Sequence, residues 1–238
     1  VALGYGEPSD AERLSVLLWD REARVRQAAL ASAGRLGNPE FRPLLVRHLG
    51  IPLFASAAAA ALVTIGAPAV ADLERAFAQA DQTPVVRRRI LKILRDIGDD
   101  ESMALLAAKL DSPERSVRRR AIELLVGAGY RATPVQVPLV ERVAESVIRD
   151  MVWDMGVLVA LEGAPDCAAV RDAVETELTE GRRWLFDLLS LIYDPGSITA
   201  VREIVETGSP QAMVHALEIL DALKELKRHA KGEPNATG

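Results

Sequence analysis

The chain has 238 residues, of which 49% are hydrophobic and only 4% aromatic, with one cysteine and a formal net charge of −5. Cys167 on its own excludes an internal disulfide framework or a thiolate zinc site and is read as a small buried side chain. No run of eighteen apolar residues exists to make a membrane-spanning helix. Alanine, leucine and valine dominate the apolar part, a balance that favours helix over pleated sheet.

The first 130 residues repeat one phrase four times. It reads Val25-Arg26-Gln27-Ala28-Ala29-Leu30 closing at Gly37, Phe54-Ala55-Ser56-Ala57-Ala58-Ala59 closing at Gly66, Val86-Arg87-Arg88-Arg89-Ile90-Leu91 closing at Gly98, and Val117-Arg118-Arg119-Arg120-Ala121-Ile122 closing at Gly129, with offsets of 29, 32 and 31 residues. Such a period, with helical spacing inside each copy, is the signature of helical hairpins that bury their apolar faces only against their neighbours. The expected fold is an all-α solenoid of stacked antiparallel helix pairs. It is read as one domain over residues 1–230, regular over 10–129 and degenerate over 133–230, with 231–238 as a polar tail.

In chain order, the first hairpin opens at Ser9 with Asp10 and Glu12 in its first turn, turns at Asp20 and continues over 22–36. Asn38-Pro39, Ala67-Pro68, Thr83-Pro84 and Ser112-Pro113 then each set a proline where the first position of a helix accepts one. The inward stripes are led by Phe41, Leu45 and Leu49, by Val70 and Leu73, by Val86, Ile90 and Leu94, by Met103 and Leu106, and by Val117, Ala121 and Leu125. Beyond Gly129 the phrase fades but helical periodicity persists. Val140, Val143, Val147, Met151 and Met155 mark one stripe, on one long helix or on two joined near 149–156. A helix restarts at Ala164-Pro165-Asp166 and runs to Thr179, and another carries Trp184, Leu188 and Ile192 to Asp194-Pro195-Gly196. The last pair ends in a helix opened by Ser209-Pro210 and carrying Met213, Leu217, Leu220 and Leu223.

Residues 1–132 hold 19 Lys and Arg against 16 Asp and Glu, whereas residues 133–238 hold 10 against 18. The cations gather on the second helix of each hairpin, the helix that usually lines the concave wall of such solenoids. Arg88, Arg89, Lys92, Arg119 and Arg120 form the candidate basic face for a partner. Arg26, Arg87 and Arg118 share one slot in three copies, each six or seven residues after a turn aspartate, Asp20, Asp81 or Asp111. An Asp/Arg ladder that staples the hairpins is expected, with one rung missing where Ala55 and Leu49-Gly50 stand instead. His48, His215 and His229 have no neighbour at metal-ligand spacing. No phosphate-cradling glycine loop or nucleophile elbow occurs, so no metal, cofactor or catalytic residue is expected. Trp19, Trp153 and Trp184 are read as core.

The phrase from Asp20 through Leu36 resembles a HEAT-like repeat of the type also found in phycobilisome lyases, and the resemblance covers residues 10–129. A narrower likeness lies in Arg182-Arg183-Trp184-Leu185-Phe186-Asp187-Leu188-Leu189-Ser190-Leu191-Ile192-Tyr193-Asp194 and in Ala216-Leu217-Glu218-Ile219-Leu220-Asp221. These are similar to the soluble HEAT-repeat region that follows the membrane part of bacterial transporters related to ATP/ADP translocases. That likeness implies a cytoplasmic accessory domain, tethered to a nucleotide carrier but not itself inserted in the membrane, and it carries no transport residue into this chain. The opening at Val1, with no initiating methionine and no signal peptide, is read as that of a piece of a longer protein. The expected function is a noncatalytic interaction or scaffold module whose partner is a protein or the rest of a larger polypeptide. The alternatives are a phycobilin-lyase-like accessory protein and a nucleic-acid binder, like the HEAT-like alkylpurine DNA glycosylases. A pI near 5.4 and the acidic second half count against the latter.

Overall fold

The structure, a computed structural model, describes residues 10–162 and 167–207. The chain is all-α: the described residues form eleven α-helices and three short 3-10 turns, with no strand. It divides into two compact units, Val1–Leu124 and Leu125–Gly238, close to Gly129, where the repeated phrase ends.

The first unit consists of four helix pairs. They are α1 (Asp10–Leu17) with α2 (Ala23–Leu36), α3 (Arg42–His48) with α4 (Ala55–Ile65), α5 (Val70–Ala78) with α6 (Pro84–Ile97), and α7 (Asp100–Ala108) with α8 (Arg115–Gly127), the last crossing the unit boundary. Local chemistry sets the ends. Asn38 Oδ1 accepts from Glu40 N at 3.0 Å, Thr83 Oγ1 from Val86 N at 3.3 Å and Asp99 Oδ1 from Ser102 N at 2.7 Å, so side chains satisfy donors that the first turn leaves open. The four glycines that close the phrase are the only described residues with positive φ, at 63°, 71°, 72° and 65° for Gly37, Gly66, Gly98 and Gly129. Without a Cβ, each stops its helix in a geometry that other residues adopt at a cost. At Gly66 the chain turns so sharply that the helical segments on either side lie 117° apart, and no single described helix is long and apolar enough to cross a membrane.

Packing then joins the pairs. α2 lies on α4 and α4 on α6, and Leu18, Leu30, Leu45, Leu62, Ile90 and Leu91 are fully buried in this unit. The α2–α4 contact is close because Gly34 faces Ala61: a Cβ on Gly34 would come within 2.7 Å of the Ala61 Cα.

The second unit is built from longer pieces: α9 (Val137–Ala160), α10 (Ala168–Ile192) and α11 (Pro195–Thr207). The stripe from Val140 to Met155 lies on one 24-residue helix. The break expected after Thr179 is absent, and α10 runs 25 residues without interruption. Thr179 Oγ1 bonds back to Glu175 O at 2.9 Å within the helix, and Gly181 serves contact, since a Cβ there would meet Met151 Cγ at 2.8 Å. Val140, Val143, Trp184 and Leu188 are buried, but Met155 is 49% and Trp153 74% exposed, so Trp153 is not core. α11 seals the end of α10 through Phe186, Ile198 and Val201. The helix expected from Ser209, with its Met213-to-Leu223 stripe, lies outside the described residues.

Candidate partner-binding cleft

The arginines divide into two working groups. The first closes helix ends. Arg26 donates through Nε to Asp20 O at 3.0 Å and through Nη2 to both Asp20 O, at 2.5 Å, and Trp19 O; Arg118 Nη1 reaches Ser112 O at 2.8 Å and Pro113 O at 3.1 Å. Arg87 bonds Gln79 O at 3.0 Å and pairs with Glu114 at the foot of the next hairpin's second helix. The expected Asp/Arg ladder is thus corrected in its partners, which are turn carbonyls and Glu114 in place of the carboxylates of Asp20 and Asp81. Asp20 Oδ1 is already taken, accepting from Glu22 N at 2.8 Å to shape its own turn, and the carbonyls left open at the end of the preceding helix draw the guanidinium. At the rung expected to be missing, where the slot holds Ala55, Arg89 from the following hairpin donates to Leu49 O. The second unit uses the same device: Arg131 bonds the carbonyls of Ser190, Ile192 and Tyr193, and Arg171 bonds Leu161 O at 2.6 Å.

His48 belongs to this capping group too, a role that its sequence neighbours do not reveal. It is fully buried, with Nδ1 2.8 Å from Leu44 O and Nε2 3.0 Å from Leu18 O in the preceding hairpin. The Trp19 ring lies tilted by 38° over its imidazole, with centroids 4.5 Å apart, and the Arg47 guanidinium lies 5.5 Å from the centre of the Trp19 ring. Trp19 is 43% exposed and works as a lid on His48, not as core.

The second group of arginines makes a site. Val85, Arg88, Arg89 and Lys92 on α6 and Ser116, Arg119, Arg120 and Glu123 on α8 line one open cleft of about 620 Å³. On each helix the four residues sit at i, i+3, i+4 and i+7, which is one face, and every α8 residue is its α6 counterpart plus 31, the repeat offset. All five cations of the expected basic face therefore meet in one place because a single repeat position is carried twice. The members that sequence reasoning missed, Val85, Ser116 and Glu123, follow from the same offset.

Inside the cleft, Arg119 Nε lies 3.2 Å and Arg120 Nη1 2.9 Å from the two oxygens of Glu123. Partial burial pushes the Glu123 carboxyl up, but the hydrogen bonds and charges of Arg120 and Arg119 outweigh that and hold it below the usual glutamate value. Lys92 Nζ reaches Asp96 at 2.6 Å, and Arg89 gives one N–H to Leu49 O. Arg88 is exposed, and no hydrogen bond or ion pair holds it among the described residues. With Glu123 shared by two arginines and Asp96 pairing Lys92, the five cations still leave a net positive cleft in a chain of net negative charge.

Among the described residues no group of three or more His, Cys, Asp or Glu is placed to hold a metal ion. No protein-family model and no curated protein matches the sequence. Among solved structures, one of an engineered protein is 16% identical and aligns with 92% of this chain and 98% of its own length, at a TM-score of 0.40. A likeness that weak carries no argument about fold or function.

Proposed function

We propose that the protein is a noncatalytic interaction module of HEAT-like repeats, and that the cleft between α6 and α8 captures an acidic segment of a partner protein. The observation that carries this reading is the convergence of Arg88, Arg89, Lys92, Arg119 and Arg120 on one open cleft whose lining holds one carboxylate, Glu123. Stacked hairpins support it by holding such a face rigid, so that little ordering is required of the protein when a partner binds. A long nucleic acid is the less favoured ligand, because the net charge of −5 repels an extended polyanion while only two neighbouring helices offer clustered cations. Attachment to a nucleotide carrier, taken from the resemblance of the second half, remains part of this proposal; about a dozen hydrophobic spans encoded upstream of Val1 would support it and an adjacent start codon would remove it.

The test is titration of the full chain with a fluorescein-labelled glutamate-rich peptide. Binding that weakens with salt, and that falls by at least about tenfold in Arg88→Glu/Arg119→Glu but not in Arg24→Glu, is the expected result. Equal binding by the wild type and the double variant would overturn the proposal.

A further inference from the structure

The cleft already contains an anion. Glu123 is tethered on α8, three and four residues from the arginines it neutralises, so a partner's carboxylate competes with a group that never diffuses away. Replacing Glu123 by one more carboxylate creates no additional ion pair. A ligand gains only if it brings more charge and more acceptor oxygens than the internal group it displaces. Four of the five cations are arginines, whose planar forks bind tetrahedral oxyanions through paired N–H groups. A phosphomonoester carries about −1.5 to −2 at neutral pH and presents three strong acceptor oxygens, enough to engage Arg119 and Arg120 together and to draw in Arg88.

The surface beside the cleft bears on the source of that phosphate. The slots equivalent to Arg88, Arg89 and Lys92 hold Ser56, Ala57 and Ala60 on α4, and Gln27, Ala28 and Ala31 on α2. These side chains are short or neutral and largely exposed. They give a smooth floor next to a concentrated charge, which suits a peptide with one modified residue. A phosphodiester chain would need its row of cations to continue across α4 and α2.

We infer that the α6–α8 cleft is a receptor for a phosphoserine or phosphothreonine side chain of a partner protein, with Glu123 as the internal anion that the phosphate displaces. The inference rests on the reading of the cleft as a partner site and narrows its ligand. Glu123 then acts as a selectivity device: it excludes single carboxylates while leaving the site open to a dianion.

The experiment measures fluorescence anisotropy of the full chain with three labelled probes, a phosphoserine peptide flanked by alanine and glycine and its serine and glutamate versions. The phosphoserine probe is expected to bind at least about tenfold tighter than either control, to weaken at least about tenfold in Arg88→Ala/Arg119→Ala, and to tighten several-fold in Glu123→Gln and Glu123→Ala. Equal affinity for the glutamate and phosphoserine probes, or weaker binding in both Glu123 variants, would overturn the phosphate assignment and leave the acidic-partner reading intact. Displacement of the probe by free phosphoserine or AMP at concentrations equal to unlabelled peptide would assign the phosphate to a small molecule, and tighter binding of duplex DNA would assign it to nucleic acid; either result overturns the peptide. Failure of every anionic probe, the glutamate-rich peptide included, would sink both readings together.

Discussion

The two units bury their cores by different means. In the first, α-helices of 7 to 14 residues alternate with turns, and its fully buried leucines are spread from Leu18 to Leu110. In the second, α9 and α10 have 24 and 25 residues, while α11, which packs on α10, has 13. At 1.5 Å per residue the long pair extends about 36 Å, whereas α11 is about 20 Å long. The far half of α9 shows Ile148, Val152, Met155 and Val159, each 46–65% exposed, at 4-3-4 spacing on one face. Helical periodicity is thus not by itself evidence of burial: α10 matches α9 in length and packs on it, yet this stripe of α9 stays exposed.

The largest expected effect tests this difference directly. Leu62→Ala, in a side chain with no exposed surface, should cost about 2–5 kcal/mol and strip hydrogen-exchange protection from the first unit. Val152→Ala, on a stripe with the same apolar pattern, should stay within about 0.5 kcal/mol. Similar losses from the two would mean that the α9 stripe is covered after all.

Glycine sharpens the contrast at the next level. Gly34→Ala forces a methyl against the Ala61 backbone, which cannot rotate away, and should destabilise by about 1–3 kcal/mol despite alanine's better helix propensity. Gly181→Ala meets the flexible side chain of Met151, so rotation of Met151 and the propensity gain should bring the net change within about 0.5 kcal/mol of zero. Denaturant midpoints for the two variants decide the matter, and a larger loss at Gly181 would reverse the packing argument.

Much of the first unit was readable because its punctuation is chemical. Gly37, Gly66, Gly98 and Gly129 stand where backbone geometry needs glycine, and Pro39, Pro68, Pro84 and Pro113 lie within one or two residues of helix starts or their 3-10 lead-ins. The cleft was readable for a related reason, since a residue carried forward by the repeat offset lands on the same face of the next helix. In the second unit Pro138 marks the start of α9, but nothing from there to residue 160 marks which face is covered, so whether Trp153 faces in or out depends on a neighbour that the local pattern does not encode. The partners of Arg26 and Arg87 were also hidden: charge pointed to the turn aspartates, whereas unsatisfied carbonyls decided the outcome. His48 shows the same rule. Replacing it with phenylalanine keeps the ring but removes both ring nitrogens, and with them the polar partners of the Leu18 and Leu44 carbonyls, which should cost about 1–3 kcal/mol. An unchanged thermal midpoint in His48→Phe would show that these polar contacts contribute nothing net.

The smallest expected effect concerns a device that both units share. Asp99 before α7 and Asp194 before α11 each accept from the backbone N–H and hydroxyl of a serine three residues on: Ser102 at 2.7 and 2.5 Å, and Ser197 at 2.8 and 3.0 Å. The Ser102 hydroxyl and then its N–H hold the Asp99 carboxyl below the usual aspartate value, and the Ser197 N–H and then its hydroxyl do the same for Asp194. Because folding lowers both values, the contribution of each cap is complete above the ordinary aspartate value of 3.8 and drains away as pH falls below it through the folded-state value. α6 is the internal control, since its cap is the hydroxyl of Thr83, which does not titrate in that range. Hydrogen exchange corrected for intrinsic rates should therefore show protection declining below pH 3.8 in the first turns of α7 and α11 and holding in α6. Asp99→Asn and Asp194→Asn should flatten the decline, each at its own helix. A parallel loss at α6 would mean that acid loosens the repeats as a whole, and the two caps would then have no separate part in it.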